Sequence, residues 1–198
     1  MKSNHTIIDV ANMFLTAKSM KLRKLMTLCY YSQAYHLSYL DRPLFEEDFE
    51  SWINGPASPK LFSKYYEEYG WKKKIPKVKK TKNEFDQDTM WVLELVKNSL
   101  LNEKEHIICD MPRYEEPWLQ ARGNLSVDEV SKKIIDKKLM KEYYYQNSEQ
   151  EISCPKCNSK INGKISSEYL GNMEINICKK CKTSFILLGD GKVFIRQK

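Results

Sequence analysis

The sequence predicts a mainly α-helical protein, in which a compact multi-helix domain is followed by a small β-rich zinc ribbon built on four cysteines. Apolar residues recur at helical spacing over most of the first 145 positions. Two CxxC pairs, separated by twenty residues, lie in the last third of the chain. Because the stretch from Gln146 to Glu151 is polar, we place the boundary there, with residues 1–147 as the helical domain and residues 148–198 as the ribbon.

Composition narrows the class of protein. The 198 residues are 30% charged and 41% hydrophobic, which is ordinary for a globular protein and argues against global disorder. No apolar run approaches the roughly 18 residues that a membrane span requires, and the start, Met1 to Asp9, lacks the apolar core of a signal peptide. We therefore expect a cytosolic protein. The net charge of +7 permits nucleic-acid contact without demanding it.

Helices are expected in order along the first domain. Thr6 can cap a first helix, since the apolar residues that follow it keep the 3.6-residue period. A turn is expected at Asn54-Gly-Pro56, and a helix that begins at Ser58 or Pro59 should end at Gly70. Ser126-Val-Asp-Glu129 matches a capping box and predicts a helix to about Lys141. Further helices are expected over residues 21–40, 46–52 and 85–101.

The CxxC pairs are Cys154-Pro-Lys-Cys157 and Cys178-Lys-Lys-Cys181. Each pair can present two thiolates to one tetrahedral ion, and this spacing is typical of zinc ribbons. We predict a structural Zn²⁺ held by all four cysteines. A catalytic zinc would keep an open position with three protein ligands, and a redox CxxC would be expected near a βαβ pattern, so both alternatives are weaker.

Two β-hairpins are expected around these cysteines. One spans residues 164–177 and turns at Gly171-Asn172; the other joins Ser184–Leu188 to Val193–Ile195 through Gly189-Asp-Gly191. Because about fifty residues bury little core, the metal should supply most of the stability of this part.

A run of lysines without acids follows Trp71. Pro76 lies inside it, so a loop is expected rather than a helix. The run is either a solvated connector or a patch for phosphates or an acidic partner. Its lysines are Lys72, Lys73, Lys74, Lys77, Lys79, Lys80 and Lys82.

The order of several segments resembles a known family. These segments are Val10-Ala-Asn-Met-Phe-Leu15, Lys24-Leu-Met-Thr-Leu-Cys-Tyr-Tyr-Ser-Gln-Ala-Tyr-His-Leu37, Arg42-Pro-Leu-Phe-Glu-Glu47, Glu50-Ser-Trp-Ile-Asn-Gly-Pro-Ala-Ser-Pro59, Glu115-Glu-Pro-Trp118 and Ala121-Arg122. Over about residues 7–145 the chain resembles the Panacea-domain antitoxins, a group that includes SocA-like proteolytic adaptors. The residues that match the family's motifs, and that we expect to be structural, are Trp52, Gly55, Pro56, Pro117 and Trp118.

The chain also departs from the family pattern. Met26 and Thr27 stand where the family usually has Gln and Lys, and Pro112-Arg113 stands where a Thr-His pair is common. If those side chains contribute to partner binding, specificity has drifted in this protein. The ribbon is an addition to the basic domain, so the resemblance implies no role for it.

The resemblance implies an antitoxin that neutralises a cognate toxin protein by direct binding. From their expected exposure, the candidate partner-binding residues are Tyr65, Tyr66, Trp71, Lys72, Lys73 and Lys74. A rival hypothesis is a regulator that binds DNA or RNA through the zinc ribbon, where basic residues cluster near the second CxxC pair. A third is a proteolytic adaptor that delivers a partner to a protease.

An enzyme is not expected. The histidines at positions 5, 36 and 106 are scattered, and no glycine-rich phosphate-binding pattern occurs. Cys29 and Cys109 are expected to be small buried hydrophobes.

Overall fold

A computed structural model describes residues 5–79, 84–126, 128–145, 152–154, 156–157, 159–161, 173–178, 180–182, 184–188 and 193–195. The chain divides into two units, Met1–Tyr143 and Tyr144–Lys198. The mainly α-helical fold class is confirmed, because the described residues form seven α-helices and only small sheets. The α-helices are α1 Ile7–Ala17, α2 Leu22–Leu40, α3 Pro59–Tyr69, α4 Gln87–Leu100, α5 Glu105–Asp110, α6 Glu116–Arg122 and α7 Lys137–Tyr145.

In the first unit, the described residues also form four short strands and one 3₁₀ turn, Met111–Tyr114. The strands form two antiparallel pairs, β1 with β4 and β2 with β3. Their bounds are β1 Met20–Lys21, β2 Glu50–Trp52, β3 Gly55–Ala57 and β4 Lys74–Ile75. Lys74 and Ile75 lie inside the lysine run, so part of that predicted loop is paired backbone.

Helix α2 is the centre of the first unit. Every residue from 24 to 38 is buried, and α1, α3, α4 and α5 all pack against α2. A helix that is enclosed on all sides needs large apolar side chains around its whole circumference. Tyr30, Tyr31 and Tyr35 supply much of that volume and are fully buried.

Polar side chains on α2 tie the helix to the segment that follows it. Gln33 accepts the backbone N–H of Leu44 at 2.8 Å and that of Phe45 at 3.3 Å. Its amide nitrogen donates to the carbonyl of Phe45 at 2.9 Å. One turn further along, the ring nitrogens of His36 lie 2.7 Å from the Arg42 carbonyl and 3.0 Å from the Thr89 hydroxyl. Buried polar groups are stable only when they are bonded in this way.

The caps predicted for α1 and α3 are confirmed. Thr6 and Asp9 form a reciprocal capping box at the start of α1. Ser58 caps α3 by accepting the N–H of Leu61 at 3.2 Å, Pro59 occupies the first helical position, and Gly70 follows the last. Each residue satisfies a backbone group or a backbone angle that a helix end requires.

The helix expected over residues 46–52 is wrong. Glu50–Trp52 is instead a strand that pairs with Gly55–Ala57, and it takes a further partner from a distant part of the chain. Ser51 donates its N–H to the Lys133 carbonyl at 2.9 Å, and the N–H of Ile135 reaches the Phe49 carbonyl at 2.8 Å. The ladder thus gains bonds from residues some eighty positions away, which local propensity does not reveal.

The start at Ser126 expected for the last helix of this domain is also wrong. Arg122, which is buried, donates to the carbonyls of Ser126 at 2.6 Å and Glu129 at 2.8 Å. The Ser126 carbonyl also accepts the N–H of Glu129 at 3.2 Å, which is an i to i+3 bond and not the i to i+4 bond of an α-helix. Helix α7 begins at Lys137, where Asp136 accepts the N–H of Leu139 at 2.8 Å.

The second unit is β-rich. β5 Ile152–Ser153 pairs with β6 Lys160–Ile161. A second sheet has the antiparallel order β7 Met173–Ile177, β8 Ser184–Leu188 and β9 Val193–Ile195. The predicted pairing of β8 with β9 is confirmed. The other predicted hairpin, over residues 164–177, falls largely outside the described residues, and its last strand pairs with β8.

Candidate partner-binding groove and four-cysteine cluster

A turn at residues 53–54 is fixed against α5 by one arginine. Arg23, near the start of α2, donates to the Asn54 carbonyl through Nε at 3.1 Å and through Nη2 at 2.9 Å. The same Nη2 lies 3.2 Å from the Cys109 carbonyl and 2.6 Å from Asp110 Oδ1. Three elements that are distant in sequence therefore meet at this guanidinium.

Gly55 begins the returning strand of this hairpin with a φ of +114°, a backbone conformation that residues other than glycine rarely adopt. A Cβ atom there would lie 3.4 Å from the Cys109 carbonyl oxygen. The glycine thus allows the hairpin to approach α5 closely, and the expectation that Gly55 is structural agrees with this geometry.

The two motif tryptophans meet at the hairpin. Trp118 is 5% exposed, and its indole N–H donates to the Trp52 carbonyl at 3.1 Å. The indole N–H of Trp52 donates to Glu50 at 2.6 Å, and Trp52 keeps part of its ring exposed. Trp118 therefore supports the hairpin from inside, while Trp52 also contributes to the surface.

A groove of about 560 Å³ opens beside the hairpin. Apolar groups from α2 and β3, namely Met26, Pro56 and Ala57, are buried within it. Trp52 and the half-buried Phe62 line it together with Trp71. This volume lies in the range of sites that take small molecules or anchoring side chains.

Three rings of α3 and the turn after it, Phe62, Tyr66 and Trp71, form what we call the aromatic rim. The Phe62 and Tyr66 rings are stacked with centroids 4.3 Å apart. Trp71 lies 5.3 Å from Tyr66 and 5.7 Å from Phe62. Tyr66 remains 38% exposed and Trp71 39% exposed. Clustered rings of this exposure are the residue types that dominate binding energy at protein interfaces.

The charged groups at the groove differ in whether they are paired. Arg23 faces Asp110 at 2.6 Å, and Glu105 faces Lys21 at 3.6 Å. Lys72, Lys73 and Lys74 directly follow the aromatic rim and are exposed. Among the described residues, no ion pair involves any of these three lysines. The unpaired charge that directly follows Trp71 is therefore positive, while two exposed acids, Glu67 and Glu68, follow Tyr66 on α3.

The predicted partner-binding residues do not all lie on this surface. Tyr65 is 7% exposed, and burial raises the pKa of its hydroxyl to about 12. It packs inward, since its hydroxyl lies 3.5 Å from Asn12 of α1, so the expected exposure of Tyr65 is wrong. Tyr66, Trp71 and the three lysines are exposed as expected. Lys80 and Lys82 lie outside the described residues.

Phe62 and Arg23 are among the groove residues that sequence reasoning missed. Phe62 precedes Tyr66 by four positions, a spacing that places both on one helix face and was a usable signal. Arg23 gave no such signal, because its partners lie more than thirty positions away.

The second site is the cysteine cluster. One ligand atom from each of Cys154, Cys157, Cys178 and Cys181 lies within 4.8 Å of the others. The sulphurs of Cys154 and Cys181 are 3.5 Å apart, and those of Cys157 and Cys178 are 3.7 Å apart. A tetrahedral Zn²⁺ with Zn–S bonds of about 2.3 Å requires sulphurs roughly 3.8 Å apart. The four thiols thus fit one metal ion.

Hydrogen bonds favour the thiolate at one member of the cluster. Ser159 Oγ lies 3.4 Å from the sulphur of Cys178, and the N–H of Cys181 lies 3.5 Å from it. The Ser159 hydroxyl and then the Cys181 N–H lower the pKa of Cys178 to about 5. Burial raises the pKa of Cys154 to about 11. A metal ion binds the thiolate form and would draw all four sulphurs into it.

The protein thus consists of a helical domain and a small β-rich unit whose four cysteines could hold one metal ion. The family profile described as "Antitoxin SocA-like, Panacea domain" matches residues 22–180. Since the match covers well over half of the chain, the protein belongs to the SocA-like Panacea-domain antitoxin family, and the resemblance stated above is confirmed. A search of curated proteins found no match. Neither did a search of solved structures.

The matched range differs from the range of the resemblance. It begins at the first residue of α2 and continues beyond residue 145 to Lys180, so it includes Cys154, Cys157 and Cys178. The family match thus reaches into the second unit.

Across the part of the chain that the structure describes, no helix combines the length and the apolar character needed to cross a bilayer.

Proposed function

We propose that this protein is the antitoxin of a toxin–antitoxin pair and that it neutralises a cognate protein toxin by direct binding. Membership of the SocA-like Panacea family supports a toxin as the partner. The groove beside the β2–β3 hairpin and the aromatic rim are the surface that we assign to this contact.

The observation that carries the proposal is the exposure of Tyr66 and Trp71 beside a groove. Exposure of large aromatic side chains to water is energetically unfavourable, so burying this exposed cluster against a partner would be favourable. The adjacent cavity offers a partner a place to insert a side chain of its own, an arrangement typical of interface hot spots.

Binding, rather than catalysis, is the mode of action that we propose. Cys109 and His106 both lie on α5, three positions apart. Burial raises the pKa of the Cys109 thiol to about 11, whereas an activated cysteine nucleophile has a lowered pKa. The position of Cys109 beneath the hairpin supports a structural role for this residue.

We further propose that the cysteine cluster holds a structural Zn²⁺. The cluster offers four sulphur ligands, and a complete tetrahedral thiolate set is typical of structural rather than catalytic zinc. The ion would join the loops at Cys154–Cys157 and Cys178–Cys181 and so stabilise the second unit.

The test is co-expression. The product of the adjacent reading frame is induced with and without this protein, and growth and co-purification are measured. Neutralisation predicts restored growth together with a stable complex. Trp71→Ala should weaken both. Trp91→Ala is the matched control, because Trp91 is 48% exposed on α4 and outside the groove.

Failure of the neighbour to inhibit growth, or failure of the two proteins to bind, would contradict the proposal. If growth is restored only when a cellular protease is present, the protein acts as a proteolytic adaptor instead. A variant that lacks residues 149–198 shows whether the second unit takes part.

Nucleic-acid binding through the ribbon remains the second candidate function. Lys156, Lys180 and Lys182 are exposed beside the cysteines. Contacts to phosphates would make affinity for DNA from the same locus fall steeply with salt. A complex held by apolar packing should respond to salt much less.

A further inference from the structure

We infer that the groove binds an acidic segment of the partner protein, anchored by one large apolar side chain. The inference rests on the proposed function and names the chemistry of the toxin surface that this site recognises. It follows from three features of the described residues: an apolar groove, an aromatic rim, and the unpaired lysines that directly follow the rim.

The apolar part of the groove sets the anchor. Met26 is 2% exposed and Ala57 is 4% exposed, and Pro56 is buried beside them. None of these groups can satisfy a polar side chain, and a polar group buried there would lose its bonds to water. An aliphatic or aromatic side chain is therefore the group that the groove accepts.

The lysines near the groove favour acidic residues on either side of the partner's anchoring side chain. The sequence from residue 60 to residue 79 contains seven lysines and two acids, Glu67 and Glu68. Of the charged residues in the groove itself, Arg23 and Glu105 each face an opposite charge. An incoming carboxylate thus finds unpaired lysines directly after the rim, whereas the acid in the groove, Glu105, already faces Lys21. Glu67 and Glu68 on α3 are exposed, but the lysines of this stretch outnumber them.

The lysines are held beside the groove by the backbone. Lys74 pairs with Lys21, and Ile75 pairs with Met20. Ile75 is 2% exposed, so it anchors the segment in the core while the lysine side chains remain in solvent. The position of the positive charge relative to the aromatic rim is consequently fixed by the fold.

A protein segment suits this surface better than a nucleic-acid strand. Strand-binding grooves place cations along their length and offer ring faces for successive bases. Here Arg23, the cation that lines the groove, is already paired with Asp110, and Glu105 lies in the groove as well. The Phe62 and Tyr66 rings stack on each other, which leaves fewer faces free for bases.

The experiment uses the full-length protein and labelled nine-residue peptides. Each peptide carries a central Leu or Trp, flanked on both sides by Glu, Ser or Lys, and binding is measured by fluorescence anisotropy. We expect the Glu-flanked peptides to bind at least about tenfold more tightly than the Lys-flanked ones. Replacing the central residue by Ala should reduce the affinity by about the same factor.

Variants connect the binding to this surface. Trp71→Ala should weaken the Glu-flanked peptide about tenfold, as expected for a hot-spot aromatic. Trp91→Ala should leave it unchanged. Trp91 packs against Tyr39, sixteen residues along α2 from Arg23, which is about 24 Å at 1.5 Å per residue.

A charge-reversal variant distinguishes a loss of charge selection from a loss of folding. The combined variant Lys72→Glu, Lys73→Glu and Lys74→Glu should prefer the Lys-flanked peptide over the Glu-flanked one. An unfolded or damaged protein would lose binding to both peptides, so a reversed preference locates the charge selection at these lysines.

Several outcomes would overturn the inference. These are equal binding of the three flanks, no binding of any peptide, or tighter binding of a labelled dT12 strand. A dimer of the wild type that dissociates in Trp71→Ala would also overturn it, since a second copy of the chain would then occupy the groove. Because no toxin is used, peptide failure with successful neutralisation by co-expression rejects this inference alone. Peptide binding without neutralisation rejects the proposed function alone.

Discussion

After α2, backbone groups that are not part of a helix or a sheet are hydrogen-bonded by a single side chain, that of Gln33. Gln33 bonds two backbone N–H groups and one carbonyl of residues 44–45, and both side chain and backbone are buried. A leucine would fit the site sterically but would remove all three bonds. Each orphaned buried group typically costs about 1–3 kcal/mol.

Gln33→Leu should therefore lower the free energy of unfolding by about 2–4 kcal/mol, as followed by urea denaturation with circular dichroism. Gln120→Leu is the control, because the side chain of the exposed Gln120 donates to Glu116 at the surface, and its loss should change stability by less than about 0.5 kcal/mol. Equal effects at both positions would show that the bonds of Gln33 to the backbone contribute little.

Asp86 makes the stability of the first unit depend on pH. It accepts the N–H of Thr89 at 3.0 Å and faces Arg42 at 3.1 Å. The bond from the Thr89 N–H, and then those from the Thr89 hydroxyl and Arg42, hold the pKa of Asp86 below its usual range. A carboxyl whose pKa is lower in the folded state stabilises the fold above its unfolded pKa of about 3.9, and that contribution is lost as the pH falls below it.

Asp86→Asn keeps a capping side chain and loses the charge. The difference in unfolding free energy between wild type and Asp86→Asn should be present at pH 6 and should shrink by pH 3. Urea titrations at the two pH values measure it. A difference that stays constant between them would mean that the charge of Asp86 does not contribute to stability.

At the scale of elements, the start of α7 is decided by Asp136 rather than Ser126. The Asp136 carboxylate accepts the N–H of Leu139, while the segment at Ser126 is held through its backbone carbonyl by Arg122. Asp136→Ala should therefore cost about 1 kcal/mol of stability, the usual value of a lost N-cap. Ser126→Ala should cost less than about 0.5 kcal/mol. Thermal unfolding of the two variants side by side tests this order, and a larger loss for Ser126→Ala would contradict the assignment.

The elements that sequence predicted well are those with local causes. The ends of α1 and α3 can be predicted from residues that act over only a few positions, namely Thr6, Ser58, Pro59 and Gly70. The two CxxC pairs likewise act locally, and their spacing predicted which sulphurs would cluster.

The elements that sequence missed depend on distant partners. The strand at Glu50–Trp52 is stabilised by the segment around Lys133, and the turn after Ser126 is stabilised by Arg122. The groove has the same character, because Met26, Trp52 and Trp71 come from three separate elements. No local pattern could show that these residues meet.

For the molecule as a whole, the metal should stabilise one unit and not the other. The purified protein should contain about one Zn²⁺ per chain, as measured by plasma mass spectrometry. Removing it with a chelator should abolish the dispersed amide signals of the second unit and leave the helical circular dichroism of the first nearly unchanged. The reason is that the apolar core around α2 contains none of the four metal-type cysteines.

Cys181→Ser should reproduce the effect of the chelator, while Cys109→Ser should keep the metal. Both are cysteine substitutions, so the comparison separates loss of a ligand from loss of a thiol. A protein that binds no metal, or that loses it equally in both variants, would contradict the structural role of the cluster.

The pairing of Lys74–Ile75 with Met20–Lys21 also affects the entropy of association. Ordering the backbone of one residue costs about 1–2 kcal/mol of free energy through lost conformational entropy. In this segment the ordering occurs during folding, since Ile75 is buried and the N–H of Val78 bonds to the Leu15 carbonyl at 3.2 Å. A partner that meets these lysines therefore finds their backbone already ordered, and more of the contact energy is left to hold the two proteins together.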